Sequence, residues 1–237
     1  MHHFFADPTM VDEANGTIRI TGSDVHHIKR VLRLQQGQKL SVSDGLRKKY
    51  LAVLKSFEQA SIILEITSMM EDHLTAQNCH IRLMQGIAKG SKMDWIIQKM
   101  TEMGISSIQP MVTEHTVVQL GTVQEPIRKQ QRWQKIGEEA AKQCKRTTLP
   151  IVELPQPFDS VINREMVSAK RLSILAHEKA SGVTLSNLLS EVNPLLYEGI
   201  DILIGPEGGF SKDEVAKARN CGIHVVGLGP RILRTET

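Results

Sequence analysis

Along residues 1–70 the apolar positions come in short or alternating runs, at 17–20, 39–42, 50–55 and 62–67, broken by Gly16, Gly22, Gly37 and the pair Asp44 and Gly45. Period-two runs bounded by turn residues predict strands, and this set of them predicts a small β-barrel. One stretch departs from that period. Over residues 23–34, Val25, Ile28, Val31 and Leu32 share a helical stripe behind a Ser23 cap, with Lys29, Arg30 and Arg33 near its edge. From residue 80 onward the pattern changes again. Apolar runs at 81–85, 108–112, 172–176, 200–204 and 224–228 alternate with helical periods, which predicts α/β structure on a mostly parallel sheet buried on both faces. The change of period predicts two domains, residues 1–72 and 73–237.

The helices of the second part carry their own signals. Ser91 and Asp94 have capping-box spacing ahead of a helix over 93–103, in which Ile96, Ile97, Met100 and Met103 share a face and after which Gly104 ends the run. Pro126 suits the first turn of the next helix. Its Trp133, Ile136, Ala140 and Cys144 form a buried stripe, and its Arg128, Arg132, Lys135 and Lys142 are left to face water or phosphate. Ser211 and Glu214 cap a third helix, closed by Gly222.

Composition narrows the class without naming a function. With 41% hydrophobic and 23% charged residues the chain is globular, neither disordered nor disulfide-stapled. A net charge of +3 does not announce a nucleic-acid binder, but residues 82–150 hold 11 basic against 6 acidic groups, a balance suited to a phosphate-attracting face. Cys79, Cys144 and Cys221 lie far apart with no C-x-x-C pair, as expected in a reducing compartment. The nine histidines show no zinc spacing, so no metal is expected. There is no secretory leader pattern and no long apolar span, and the expectation is a cytoplasmic protein with no membrane partner.

The chemistry concentrates at strand ends. The run at 200–204 enters Gly205-Pro206-Glu207-Gly208-Gly209, and the run at 224–228 enters Gly229-Pro230-Arg231-Ile232-Leu233-Arg234-Thr235-Glu236. A third bend, Leu175-Ala176-His177-Glu178, follows the run at 172–176. Ligands of open α/β sheets bind at the carboxyl ends of strands, and glycine lets them approach the main chain closely. Neither bend has the spacing of a dinucleotide fingerprint or a P-loop, which weakens dehydrogenase and ATPase readings. A plain strand-to-helix turn and a solvated charged turn remain open for these two bends on local grounds.

Together the two bends resemble the paired C-terminal motifs of the RsmE-type 16S ribosomal RNA uridine N3-methyltransferases. Further segments resemble the family in the same order: Val25-His26-His27 through Val31-Leu32-Arg33, Lys89 through Lys99 with Glu102-Met103-Gly104, and Glu139 through Cys144 with Arg146 and Pro150. The resemblance implies a PUA-like RNA-binding barrel followed by a SPOUT domain with a trefoil knot, acting as a homodimer on 16S ribosomal RNA or the small ribosomal subunit. It implies S-adenosyl-L-methionine as cofactor, held by Leu175, His177, Glu178, Ile204, Gly205, Pro206, Glu207, Gly209, Leu228, Gly229, Pro230, Ile232 and Leu233. Arg234 and Glu236 are the candidate catalytic groups. Arg234 either stabilises a uridinate or clamps a phosphate, and Glu236 either takes the N3 proton or orients the base. Lys29, Arg30, Arg33, Lys89, Lys92 and Arg146 are the candidate RNA contacts. Methylation of another atom, such as a ribose 2′-hydroxyl, and a non-catalytic RNA-binding module are the alternatives. Two departures from the family pattern stand out. His3 occupies the place of an arginine ahead of Phe4 and Phe5, and the chain stops at Thr237, so the expectation is a SPOUT domain without its final helix.

Overall fold

The computed structural model describes residues 1–71, 80–118, 121, 124–164, 170–180 and 182–237. Two compact units emerge, Met1–Gln77 with Glu139–Leu149, and Asn78–Glu138 with Pro150–Thr237. The border expected at 72/73, and Cys79, lie outside the described residues. No break in hydropathy announces that Glu139–Leu149 groups with the first unit.

In the first unit, β1 (His3–Phe5), β2 (Val11–Asp12), β3 (Thr17–Thr21), β4 (Lys39–Ser43), β5 (Lys48–Phe57) and β6 (Ser61–Glu71) form one sheet in the order β1-β4-β5-β6-β3-β2. β1 runs parallel to β4 and the other pairs are antiparallel. The period-two pattern decides which face is inside: Tyr50, Ala52 and Leu54 of β5 are buried with Ile18, Ile20, Leu40, Ile62 and Leu64. The sheet wraps this core as expected of a small barrel, although no β1–β2 pairing closes the ladder among the described residues.

The helix expected over 23–34 is shorter and of mixed type. α1 spans Ser23–His26 and passes into a π-type turn, His27–Val31, with Leu32 N donating to His27 O at 2.9 Å. Such a bond spans five residues, so the stripe rotates: Val25 and Ile28 are buried while Val31, expected on the same face, is exposed. Ser23 is not the cap either. Gly22 holds that position without a side-chain hydrogen bond, and Arg33 ends the segment with φ of 51°.

The second unit alternates strand and helix. β7 (His80–Gly86), α2 (Lys92–Glu102), β8 (Ser107–Val112), α3 (Gln124–Cys144), β9 (Ile151–Val152), β10 (Gln156–Pro157), α4 (Phe158–Arg164), β11 (Arg171–Ala176), α5 (Leu185–Glu191), β12 (Gly199–Ile204), α6 (Lys212–Asn220) and β13 (His224–Val226) follow in order, the last residues of α3 grouping with the first unit. Their sheet runs β10-β8-β7-β12-β11-β13, every pair parallel, with β9 beside β8. Alternate residues of β7 serve opposite faces. Met84 packs with Leu175, Leu203, Phe210 and Val215, whereas Leu83 packs with Ile97, Ile108 and Trp133. Asp201 in β12 is fully buried, and its carboxylate accepts from Arg82 Nε at 3.0 Å and Arg171 Nη2 at 2.6 Å on the two flanking strands. A buried charge survives only when paired in this way.

Two helix starts contrast. Ser211 and Glu214 form the complete expected capping box of α6. Ser91 does not cap α2: its backbone is already helical (φ −81°, ψ −3°) and makes no side-chain cap bond, while Asp94 pairs with Arg132 instead. Lys142 was expected to face water or phosphate. It is largely buried and salt-bridged to Asp24 at 2.9 Å, and although burial lowers its pKa, Asp24 and Glu139 raise it further, for a net upward shift. His224–Val226 ends two residues before the expected limit, which frees Leu228 from the sheet.

Candidate active site

Because all strands of the second sheet are parallel, Gly86, His177, Gly205 and Gly227 leave it along one edge. The bend after β12 is tight. A Cβ on Gly205 would lie 3.0 Å from the Gly209 Cα, and one on Gly86 would lie 2.5 Å from both the nitrogen and the Cδ of Pro206. Gly209 has φ of +68° and sits against the Glu178 carboxylate, so the third bend does meet the first. His177 N donates to Val226 O at 2.9 Å, which links the third bend to the second. His177 Nδ1 accepts from Lys179 N at 3.2 Å. Its other ring nitrogen therefore carries the proton in the neutral form and points toward Glu178, 3.9 Å away.

The segment after β13 returns across this edge. Two strands, β12 and β11, separate β13 from β7, yet Thr235 Oγ1 accepts from Gln85 Nε2 at 3.0 Å and donates to Gly205 O at 2.6 Å. The chain thus crosses from the sheet's margin to the ends of β7 and β12. This brings Glu236 beside Lys92, whose Nζ lies 3.7 Å from Glu236 Oε2 and 3.1 Å from Glu207 Oε1. Burial raises the Glu207 carboxyl pKa, but its own main-chain N–H, that of Lys89 and the Lys92 ammonium together bring it below the usual range. Glu236 Oε2 is buried and has no hydrogen-bond partner among the described residues. Arg234 is 84% exposed and reaches only to 4.0 Å from Glu236.

Around these polar groups, Leu228, Ile232 and Leu233 present apolar side chains to solvent, Ile232 at 84% exposure. Leu175 behaves differently from its neighbours on the candidate cofactor wall: it is fully buried in the core, so only its main chain is on offer. Main chain bared by glycine at the bends, with open space beside Gly229, and exposed apolar side chains on the same segment fit a nucleoside-bearing methyl donor.

The candidate RNA contacts divide. Arg30, Arg33 and Lys89 are exposed. Lys29 is engaged, donating to Glu58 O at 2.8 Å with its ammonium 5.3 Å from the Phe57 ring centroid. Arg146 is half-buried and donates to Thr148 Oγ1 at 3.0 Å, and burial lowers the pKa of its guanidinium. Its carbonyl meets His3 Nε2 at 3.0 Å, so the residue in the arginine's place is a buried structural histidine.

Gln85 and His115 carry no site signal in the sequence, and Thr235 stands in the second bend without a role of its own. Gln85 and Thr235 hold the returning segment, and Gln85 was read only as the end of an apolar strand. His115 Nδ1 lies 2.9 Å from Gly208 O and 3.2 Å from Gly209 O, two acceptors that require an N–H there, and so it buttresses the bend. Nothing in spacing linked His115 to a glycine about ninety positions later.

An RNA methyltransferase domain family matches residues 75–237, and an RNA methyltransferase PUA domain family matches residues 20–67. The ribosomal RNA small subunit methyltransferase E of Bacillus subtilis is 33% identical over 247 residues, covering 100% of this chain and 92% of that protein. The chain belongs to the ribosomal RNA small subunit methyltransferase E family. Its Synechocystis member is 32% identical over 97% of this chain and 72% of the relative. A crystal structure of the Neisseria gonorrhoeae enzyme bound to S-adenosyl methionine superposes with a TM-score of 0.83 at 27% identity, covering 100% of this chain and 92% of that one. The fold is accordingly the PUA-like domain followed by the SPOUT methyltransferase domain that the motifs implied.

Proposed function

We propose that this chain uses S-adenosyl-L-methionine to methylate N3 of a uridine in 16S ribosomal RNA. The observation that carries the reading is the convergence of both motif bends on one edge, with Glu236 Oε2 buried and without a donor beside them. Family membership supplies the reaction class, and a solved family member holds the methyl donor.

When bound, the cofactor would supply an electrophilic methyl group, with its sulfonium sulfur as the leaving group that takes the electron pair. The main chain at Gly205, Gly209 and Gly229, with Leu228, Ile232 and Leu233, would hold it, and Ile204, Pro206, Pro230, His177 and Glu178 would complete the wall. Glu236 accepts the N3 proton, because uridine N3–H is a donor and Oε2 is the acceptor left without one. Arg234, on the open side, offsets charge developing on the uracil oxygens or holds a neighbouring phosphate. Arg30, Arg33 and Lys89 neutralise phosphates, which positions RNA without reading its sequence. A homodimer and a cytoplasmic location belong to the same reading, and sedimentation velocity measures the first.

Incubation of the chain with labelled S-adenosylmethionine and small subunits, followed by nucleoside mass analysis, tests the reaction. The expected product is N3-methyluridine. A methyl on ribose, or none with competent cofactor binding, overturns the reading in favour of a different knotted methyltransferase or a binding module.

A further inference from the structure

Lys92 stands among the candidate phosphate contacts, yet its surroundings suit a different task. Its ammonium is 3.1 Å from Glu207 Oε1 and 3.7 Å from Glu236 Oε2, so one cation already faces two carboxylates. Glu207 is fixed independently, since the same Oε1 accepts from Lys89 N at 3.1 Å. Glu236 comes from the returning segment, held through Thr235. Among the described residues the other charged group paired with Glu236 is Arg234, 4.0 Å from Oε1 and directed to solvent. A phosphate approaching Lys92 would have to compete with two carboxylates that already offset its charge, which weakens the contact. At 3.7 Å the Lys92 ammonium holds Glu236 Oε2 by charge while leaving it without a hydrogen bond.

We propose that Lys92 is a positioning residue of the reaction and not an RNA contact: anchored on Glu207, its ammonium keeps Glu236 Oε2 turned inward as the acceptor for the uridine N3–H. This rests on the uridine-N3 reading above. In the step concerned the N3–H bond breaks, its electron pair stays on N3, and the proton passes to Glu236 Oε2. Glu207 then has a second duty beyond shaping the bend, because it fixes the cation that fixes the acceptor.

Two variants and two readouts test the assignment. Lys92 is 39% exposed in its side chain, so replacement leaves no buried hole. Lys92→Gln is expected to lower kcat for N3-methyluridine formation by about tenfold to a hundredfold, at most the lower limit of what general base catalysis contributes because Glu236 itself remains, with KM for the RNA within about twofold. Lys92→Arg, which keeps a charge in reach of both carboxylates, is expected to recover most of the loss. RNA binding without cofactor provides the second readout. For a positioning residue the slope of log Kd against log salt stays as in the wild type, whereas loss of a phosphate contact reduces it by about 0.7 to 0.9. A reduced slope with kcat retained overturns the proposal, as does a Lys92→Gln enzyme that forms N3-methyluridine at the full rate, or a loss that Lys92→Arg does not relieve. If the wild-type chain makes no N3-methyluridine, the parent reading fails first and this inference falls with it.

Discussion

Thr235→Val removes one hydroxyl and keeps the shape of the side chain, and that hydroxyl joins the returning segment to two strands. It donates to Gly205 O at 2.6 Å and accepts from Gln85 Nε2 at 3.0 Å. A typical intramolecular hydrogen bond contributes about 0.5–1.5 kcal/mol net, and a buried group left unsatisfied costs about 1–3 kcal/mol. Gly205 O retains only a long contact with Gln85 Nε2, at 3.4 Å, and Gln85 keeps Gly86 O as its near acceptor at 2.9 Å. The expected loss is therefore about 2 kcal/mol in the docking of residues 228–237. Those residues supply part of the cofactor wall, so where the variant segment must redock on binding the loss is charged to affinity. At about 1.4 kcal/mol per factor of ten, this weakens S-adenosylmethionine binding by about thirtyfold. Titration calorimetry measures it, with Thr235→Ser, which keeps the hydroxyl, expected to bind within about threefold of wild type. Binding by Thr235→Val at wild-type affinity would show that the returning segment does not shape the cofactor site.

Gly86→Ala places a methyl 2.5 Å from the Pro206 nitrogen, a rigid main-chain neighbour, so the bend must move. We expect destabilisation of about 1–3 kcal/mol by urea unfolding, together with weaker cofactor binding. His3 concerns the other unit. Burial first, and then the positive field of Lys49, lower its pKa from 6.5 to about 4, while Arg146 O partly opposes the shift. The folded pKa is the lower one, so the unfolded chain takes up a proton that the folded chain refuses. Stability is therefore full above about pH 6.5 and falls by roughly 2–3 kcal/mol as the pH drops toward 4. Urea unfolding followed by circular dichroism at pH 7 and pH 4.5 should show the loss in the wild type and a smaller one in His3→Gln.

Much of this architecture was legible because the signals were local. The parallel strands announce themselves as buried apolar runs, and the α6 capping box is complete within Ser211–Glu214. The bends at Gly205–Gly209 and after Gly227 were legible as glycine-rich exits from strands. What escaped depended on contacts distant in sequence. Gln85 and Thr235 are 150 positions apart, and only the return across the sheet's edge makes them partners. The histidine in place of an arginine at position 3 has meaning only once Arg146 O is seen beside the ring. Ser91 has the right residue type for a cap, but its own backbone already has helical dihedrals and its side chain makes no cap bond. Lys92 and Lys142 both looked like free cations, and both are committed to carboxylates from other segments.

Nucleoside mapping of 16S ribosomal RNA decides the central claim most directly. Cells lacking this gene should lose one N3-methyluridine, and the wild-type chain, but not Glu236→Gln, should restore it. An unchanged N3-methyluridine content in the deleted cells, or a lost methyl traced to ribose, would contradict the account.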